Sequence, residues 1–417
     1  MKRGVLPDLT PFVRRGDTVV IAQAHAEPLT LTRALVEQRH HFQRLRLVLG
    51  IGSAGTLRPE HADAFDFVSY CGSGSNRALA DAGVLDIFPG PYSHFAHALG
   101  DGALKADVVL LQLSAPDEQG RHSLGLANDY LIAAIRAARV VIAEINPAVP
   151  WTFGTRTLGT EDLALAVPAQ YEPLQAPSPA PSATDLAIAR RVAGLIGDGA
   201  TLQLGLGGVA DAVLPLLIGR RDLGLHSGIA GDGIVTLAEA GVLTNDRKAI
   251  DRGVSIAALL VGSARLQRFA HRNPALQLRA SDYTHAAATL AAVEQFVAIN
   301  SAIEVDLSGQ VNAELAGGRY VGAVGGAPDF LRAAQRSRGG LPIVALPATA
   351  GLRSRIVANL SGPVTTPRCD AGLIVTEHGV ADLRGLTLRQ RRRRMIDLAA
   401  PEHREALAVA ASSGAAD

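Results

Sequence analysis

The sequence has few cysteines, few aromatic residues and almost no excess of charge of either sign. Its two cysteines, Cys71 and Cys369, lie far apart in 417 residues and match no metal-binding spacing. This usage favours free thiols in a reducing compartment over a disulfide framework. The formal net charge is +1, so no overall field attracts nucleic acid or an anionic membrane.

Long apolar runs are missing as well. No stretch approaches the roughly 20 residues that a membrane-spanning helix needs. Lys2 and Arg3 stand near the N-terminus, but no apolar segment follows them as it would in a signal peptide. We therefore expect a cytoplasmic protein that binds neither membrane nor nucleic acid.

The composition is that of a packed α/β protein in more than one domain. The chain is 48% apolar with 43 glycines, and its length exceeds what one core usually serves. Residues 175–183 contain mostly proline, serine and alanine, which is typical of a linker. The predicted division is an N-terminal domain at 1–175, a linker at 176–184 and a C-terminal domain at 185–417.

Buried strands alternate with helices along both halves. This pattern predicts two open α/β domains with mostly parallel sheets and helices on both faces. The predicted strands lie within 16–23, 45–50, 107–113, 140–146, 197–205, 297–300, 304–307, 342–346 and 371–376, and the main helices at 29–38, 129–138, 185–196 and from 386 onward.

One glycine pattern imitates a dinucleotide-binding fingerprint. Residues 50–55 read Gly-Ile-Gly-Ser-Ala-Gly after a predicted strand. Pro59 follows where the helix that binds the phosphates would be running, so we interpret the segment as a loop and not as an NAD site.

The second half contains the stretch on which the functional interpretation depends. Residues 226–233 read His-Ser-Gly-Ile-Ala-Gly-Asp-Gly, and they follow a glycine-rich turn at 205–208 by a short amphipathic segment. Strand, tight loop, helix, strand and loop in this order place polar groups at the mouth of an α/β sheet.

Many collinear segments carry a resemblance to a known family. Residues 112–125 (QLSAPDEQGRHSLG), 198–208 (DGATLQLGLGG), 299–314 (INSAIEVDLSGQVNAE), 322–330 (GAVGGAPDF) and 376–383 (TEHGVADL) occur in one order. Together they resemble the signatures of the acetyl-CoA hydrolase/transferase family. The resemblance implies two α/β domains with acyl-CoA in the cleft between them, a carboxylic acid as acceptor, coenzyme A as the only cofactor, and a homodimer.

The resemblance also implies which residues contact the thioester. Backbone N–H groups approach a developing oxyanion most closely where no Cβ intervenes. The loops at Gly207, Gly208 and Val209 and at Gly325 and Gly326 are the expected contacts. The amide of Asn300 is interpreted either as a ligand donor or as a turn former at the end of a strand.

The sequence departs from the family at the catalytic position. Family members have a glutamate two residues after the histidine, and its carboxylate attacks the thioester and becomes an enzyme-bound CoA thioester. Here that position is Gly228, while Asp232 matches the family's aspartate and Ser227 its usual threonine. Adjacent residues of a strand point to opposite sides, which disfavours a Ser227–His226 nucleophile pair.

Three functions are compatible with this departure. The first is a CoA-transferase in which the acceptor carboxylate itself attacks the thioester, where the missing side chain leaves room. The second is an acyl-CoA hydrolase that uses water, and the third is a CoA-ester-binding homologue or partner subunit without turnover. Of these, we expect the transferase.

Other polar groups are interpreted as structural or remain undecided. Glu304 and Asp306 point to one face of a strand, where structural hydrogen bonds are the expected role. Glu377 and His378 precede a glycine at a strand end, and neither a structural nor a functional role is favoured for them. The basic run at Arg389 and 391–394 is interpreted as a solvated helix face. The histidines show no metal-ligand spacing, so we predict no metal.

Overall fold

A computed structural model of the protein describes residues 6–176, 180–205 and 207–413. The chain divides into two compact units, Met1–Pro177 with Ile256–Thr284, and Ser178–Ser255 with His285–Asp417. The first break falls inside the predicted linker, of which residues 177–179 lie outside the described residues. The sequence-based division differs in one respect, because it assigned 256–284 to the C-terminal domain, whereas this segment belongs to the first unit.

The first unit contains a seven-stranded sheet in which every neighbouring pair is parallel. The chain starts at the central strand, adds strands on one side, and then returns to add the others on the opposite side. Central strands such as Val108–Leu113 are buried along their whole length, as their continuous apolar sequence predicts. The spatial order is Leu165–Pro168, Val140–Ile145, Val108–Leu113, Thr18–Ile21, Leu45–Leu49, Phe65–Ser69 and Leu85–Ile87.

The returning segment is attached to the first unit by backbone hydrogen bonds. Leu260 N donates to Leu126 O at 2.9 Å, and Asn128 N donates to Ala258 O at 2.9 Å. The strand Leu276–Leu278 pairs in parallel with Phe153–Gly154. Helices of this unit are Leu29–Glu37, Asn76–Asp81, Tyr92–Asp101, Leu131–Ala137, Ala264–Ala270 and Ser281–Thr284.

The second unit is built on a six-stranded sheet, in which the chain again starts at an inner strand and adds strands on both sides of it. Its first strand, Thr201–Leu204, has Gly224–Leu225 on one side and Phe296–Asn300 on the other, both parallel to it. The strand order therefore reverses between Thr201–Leu204 and Phe296–Asn300, and such a point opens a crevice at the carboxyl ends of the strands. Leu341–Ala345 and Leu373–Thr376 continue the parallel sheet, and Gly379–Asp382 closes it as an antiparallel edge.

The helices of the second unit include the one that carries the basic run. The side chains of Arg389, Arg393 and Arg394 are exposed, as the solvated-face interpretation predicts. Arg391 is half-buried and donates to the carbonyl oxygens of Ser308 and Arg368. The helices are Ala183–Leu195, Gly208–Val213, Gly233–Glu239, Ala287–Ala291, Ala327–Arg336, Leu388–Leu398 and Arg404–Ser413.

Three smaller features concern segments discussed in the sequence analysis. No long helix follows the glycine cluster at 50–55; a short 3-10 turn at Pro59–Asp63 follows instead. Cys71 and Cys369 are both free thiols. No helix in the described part of the chain is both long and apolar enough to cross a membrane.

A buried polar network lies past the end of the central strand of the first unit. Gln23 Nε2 donates to Asp129 Oδ2 at 2.6 Å and to the hydroxyl of Tyr92 at 2.7 Å, while Tyr70 donates to Gln23 Oε1. The amide of Leu131 donates to Asp129 Oδ1. Burial disfavours the ionised carboxylate and raises the pKa of Asp129 to about 6, although these hydrogen bonds oppose the shift.

Because of this network, we predict that the protein loses stability as the pH rises. A raised carboxyl pKa stabilises the fold below the unfolded pKa of 3.8 and loses that contribution as the pH rises through about 6. The full loss is about 3 kcal/mol, and about half of it falls between pH 5 and pH 7. Asp129→Asn, which keeps an acceptor for Leu131, should therefore gain unfolding free energy relative to wild type over this range, measured by urea unfolding. Asp86→Asn, at an exposed position, is the control and should show no such trend.

Candidate active site

The crevice at the strand reversal of the second unit contains a cavity of about 180 Å³. It lies at the carboxyl ends of three parallel strands, where ligands bind in open α/β sheets. Its lining combines glycine backbone, an amide, one cation and one carboxylate. The lining residues are Asp185, Gly205, Gly207, Gly208, Val209, Ala210, Ile299, Asn300, Ser301, Ala345, Pro347 and Arg355.

The glycine loop is held against the neighbouring strand. Gly205 N donates to Ile299 O at 2.8 Å, so the chain leaves its strand in close contact with the next one. Gly207 has φ +132°, a conformation that residues with a Cβ rarely adopt. A Cβ at Gly208 would lie 3.2 Å from a carboxylate oxygen of Asp185. Gly207 is thus favoured by its backbone conformation, and a side chain at position 208 would require Asp185 to shift.

Asn300 is paired with a side chain on the neighbouring strand and lies at the cavity wall. Its Nδ2 donates to Gln203 Oε1 at 2.9 Å, and Gln203 Nε2 donates back to Asn300 Oδ1 at 3.4 Å. This amide pair links the two strands on either side of the reversal. Asn300 also lines the cavity, where it is 7% exposed. Its orientation is thus fixed by Gln203 before any ligand arrives.

Two charged residues of the cavity had no assigned role in the sequence. Asp185 accepts hydrogen bonds from the backbone and hydroxyl of Ser182 and forms a capping box at the start of Ala183–Leu195. Arg355 has its pKa lowered by burial, which the negative charge of Glu377 partly offsets. The side chain of Arg355 has no hydrogen bond or ion pair within 6–176, 180–205 and 207–413, so its charge is available to a ligand.

Ser227 is held by backbone and does not form an activated nucleophile. Its hydroxyl donates to Leu204 O at 3.3 Å and accepts from Leu204 N at 3.2 Å and Ile229 N at 3.4 Å. Both Ser227 and His226 are fully buried. These bonds place Gly228 beside the end of the strand from which the glycine loop departs.

The space next to Gly228 is filled by a histidine that the sequence did not single out. A Cβ atom at Gly228 would lie 2.8 Å from Nε2 and 2.9 Å from Cε1 of His285. A Cβ atom at Gly326 would also lie 2.8 Å from the same Nε2. The two glycines thus contact one imidazole ring. The sequence analysis expected open space beside Gly228, but the His285 ring fills the position where a side chain at 228 would begin.

Aromatic packing holds this ring in place. The centroids of the His285 and Phe330 rings are 4.6 Å apart, and Phe330 lies on the helix that Gly326 precedes. His285 is 4% exposed. Burial, followed by the nearby charge of His226, lowers the pKa of His285 to about 3, so the ring is neutral at physiological pH.

The paired carboxylates have structural roles, as expected. Glu304 Oε1 accepts from Asn312 and from the backbone and hydroxyl of Ser361. Asp306 accepts from Ser308 and Gln310 within one turn. Glu377 accepts from the amide of Ala348, which supports a structural contribution there too.

The site residues predicted from sequence fall into two neighbouring groups. Gly207, Gly208, Val209 and Asn300 line the cavity. Gly228 and Gly326 contact His285. Gly325, at φ +58°, supplies the turn before Gly326, and Asp232 precedes the helix Gly233–Glu239. His285 lies outside every segment that carried the family resemblance. Arg355 lies within residues 354–357 (SRIV), a further segment that resembles the family's signatures and was the available signal.

Among the residues described, no group of three or more His, Cys, Asp or Glu side chains is placed to hold a metal ion. The residue types at the cavity are instead suited to an acyl thioester and a carboxylate. Backbone amides and an oriented amide side chain suit a carbonyl oxygen, and a guanidinium suits a carboxylate.

Two domain models of one protein family match the chain. Residues 6–161 match the N-terminal domain, and residues 262–411 the C-terminal domain, of acetyl-CoA hydrolase/transferase. The chain is 36% identical to 4-hydroxybutyrate coenzyme A transferase of Clostridium kluyveri over 395 residues, which cover 93% of this chain and 92% of that protein.

Solved structures show the same fold. The crystal structure of RipA from Yersinia pestis superposes with a TM-score of 0.92 at 31% identity, covering 96% of this chain and 95% of RipA. A 4-hydroxybutyrate CoA-transferase from Porphyromonas gingivalis superposes with a TM-score of 0.81 at 30% identity, covering 97% and 95%.

Because His285 lies so close to Gly228, we predict that even alanine at position 228 lowers the stability of the fold. Gly228→Ala should destabilise the protein by about 1–3 kcal/mol, because the added methyl group overpacks a buried ring that lies against Phe330. Thermal or urea unfolding measures this change. Gly194→Ala is the control, since nothing lies within 4 Å of a Cβ there and alanine favours the helix. Equal stability of Gly228→Ala and wild type would contradict the contact.

Proposed function

This chain belongs to the acetyl-CoA hydrolase/transferase family, and we propose that it transfers coenzyme A between an acyl-CoA thioester and a carboxylic acid without a glutamyl-CoA intermediate. The observation that carries the proposal is the setting of Gly228. The glycine offers no nucleophile, and the imidazole of His285 stands where any side chain would begin. The glycine loop and the Asn300 amide beside it keep the features that a thioester carbonyl requires.

The proposed reaction passes through a complex with both substrates. An oxygen of the acceptor carboxylate forms a bond to the thioester carbonyl carbon, and the C–S bond breaks to release CoA thiolate and a mixed anhydride. The thiolate then attacks the other carbonyl carbon of the anhydride. A C–O bond breaks, which yields the new acyl-CoA and the donor's carboxylate, so atoms and charge balance without a covalent enzyme intermediate.

The cavity suits the acceptor carboxylate of this proposed reaction. Arg355 contributes a guanidinium at the cavity wall, and Asn300 contributes an oriented amide. A carboxylate that pairs with a partly desolvated guanidinium forms a stronger interaction than one in water. Holding both substrates together replaces the proximity that a covalent intermediate would supply.

Steady-state kinetics test the absence of the intermediate. With acetyl-, butyryl- or succinyl-CoA and varied carboxylic acids, initial rates should give intersecting double-reciprocal lines, because both substrates must be bound before CoA leaves. Mass spectrometry after incubation with acyl-CoA alone should find no added CoA. Parallel lines together with a trapped adduct would refute the proposal, and thiol release at the same rate without any acceptor would assign the protein to hydrolysis by water.

Placing glutamate at position 228 and testing for a covalent CoA adduct checks the alignment of Gly228 with the family's glutamate. Gly228→Glu alone should form little or no CoA adduct, because the new side chain begins within 3 Å of the His285 ring. Gly228→Glu combined with His285→Ala should form a borohydride-sensitive adduct, because the carboxylate then has space to reach the thioester. Gly228→Gln with His285→Ala is the matched control and should form none. Failure of the Glu double variant to form an adduct while it still binds acyl-CoA would show that position 228 is not the nucleophile position.

A further inference from the structure

The two charged groups of the cavity lie toward its opposite ends. The carboxylate of Asp185 packs against the glycine loop, 3.2 Å from where a Cβ at Gly208 would stand. The backbone N–H of Arg355 donates to Ala348 O at 2.8 Å. Gly208 follows the first of the three adjacent strands that end at the cavity, and Ala348 follows the third. Two strand spacings, about 10 Å, therefore separate the segments that carry the two charges.

The carboxylate of Asp185 has one oxygen left over after its structural role. Oδ2 accepts from the backbone N–H and the hydroxyl of Ser182, at 3.0 and 2.7 Å, and so caps the helix Ala183–Leu195. Within residues 6–176, 180–205 and 207–413, Oδ1 accepts no hydrogen bond. A neutral amide would serve the capping box as well as a carboxylate does. Capping alone therefore does not account for a negative charge at the cavity wall.

The rest of the cavity wall is mostly apolar, and the cavity is small. A cavity of about 150 Å³ holds a ligand of the size of benzene. The volume of about 180 Å³ therefore suits a ligand with few non-hydrogen atoms and a short hydrocarbon chain. The apolar lining residues are Val209, Ala210, Ile299, Ala345 and Pro347.

We propose that Asp185 is a specificity-determining residue that excludes dicarboxylic acids from the acceptor site, so that the acceptor is a short monocarboxylic acid with an uncharged chain. The inference rests on the proposed function, because it requires the acceptor carboxylate to bind at Arg355. Succinate bound there would extend its second carboxylate toward Asp185, and two like charges would meet in a cavity that is partly desolvated. An uncharged chain in the same place meets no such repulsion and contacts the apolar wall.

Succinate and succinamate test this selection, because they have the same number of non-hydrogen atoms and differ in the charge of the far end. With butyryl-CoA as donor at neutral pH, kcat/KM of the wild-type protein should be at least about tenfold higher for succinamate than for succinate. Asp185→Asn keeps an oxygen that accepts from Ser182, and it should raise kcat/KM for succinate and bring the ratio close to one. Added salt should lower the wild-type ratio, because it screens the repulsion.

Two further variants separate the charge from the structure around it. Ser182→Ala removes the hydroxyl from the helix cap but keeps the charge of Asp185, so the ratio of the two acids should stay at its wild-type value. Arg355→Gln should lower kcat/KM for both acids together, because each of them pairs one carboxylate with the guanidinium. Saturation-transfer NMR of the two acids, with and without CoA, measures their binding independently of turnover.

The outcomes distinguish this inference from the proposed function. Wild-type turnover with equal kcat/KM for the two acids, an unchanged ratio in Asp185→Asn, or an equal change in Ser182→Ala would each overturn the role of Asp185 and leave the transferase proposal standing. No turnover by wild type, with NMR binding that favours succinamate through Asp185, would overturn the transferase proposal and support the selection. If neither acid binds or reacts, both are wrong.

Circular dichroism shows whether Asp185→Asn folds. If this variant does not fold, the wild-type protein decides. A succinamate preference that falls with added salt would support the role of Asp185, and a ratio near one or a ratio independent of salt would contradict it.

Discussion

The contact of one buried imidazole with two glycines is the constraint on which the candidate site depends. Because Nε2 of His285 lies within 3 Å of where a Cβ would stand at Gly228 and at Gly326, neither position accepts a side chain without movement of the ring. Phe330 packs against the same ring and lies close to both glycine positions. Glycine at 228 therefore forms one wall of the space that the histidine occupies.

The sheet of the second unit explains why this unit lies beside a cavity. The strand order reverses next to Thr201–Leu204, and the chain leaves that strand through a loop whose Gly207 adopts a conformation suited to glycine. Ser227 is hydrogen-bonded to Leu204, so the segment that contains Gly228 is fixed to the same edge. Backbone geometry thus gathers amide groups at one place. In the proposed transfer these donors are oriented before the substrate binds, and the acceptor carboxylate takes the place of an enzyme nucleophile.

Most of the fold was predictable because its central strands are continuous apolar runs. Val108–Leu113 and Val140–Ile145 are of this kind and lie within a residue of their predicted bounds. Two of the strands that the sequence did not reveal, Leu165–Pro168 and Leu85–Ile87, lie at the sheet edges, where partial exposure breaks up the apolar pattern. The grouping of Ile256–Thr284 with the first unit was not predictable, because it depends on long-range backbone pairing.

The sequence by itself determined the family, the two α/β units and the glycine loops, because local periodicity and collinear motifs are properties of neighbouring residues. It also singled out Gly228, Asn300 and Gly326 as candidate site positions, but it gave no account of what faces Gly228. Only the tertiary structure decided that, because His285 reaches Gly228 through sheet order and helix packing across a long stretch of chain. Proximity between distant residues is set by which elements pack together, and no spacing in the sequence records it.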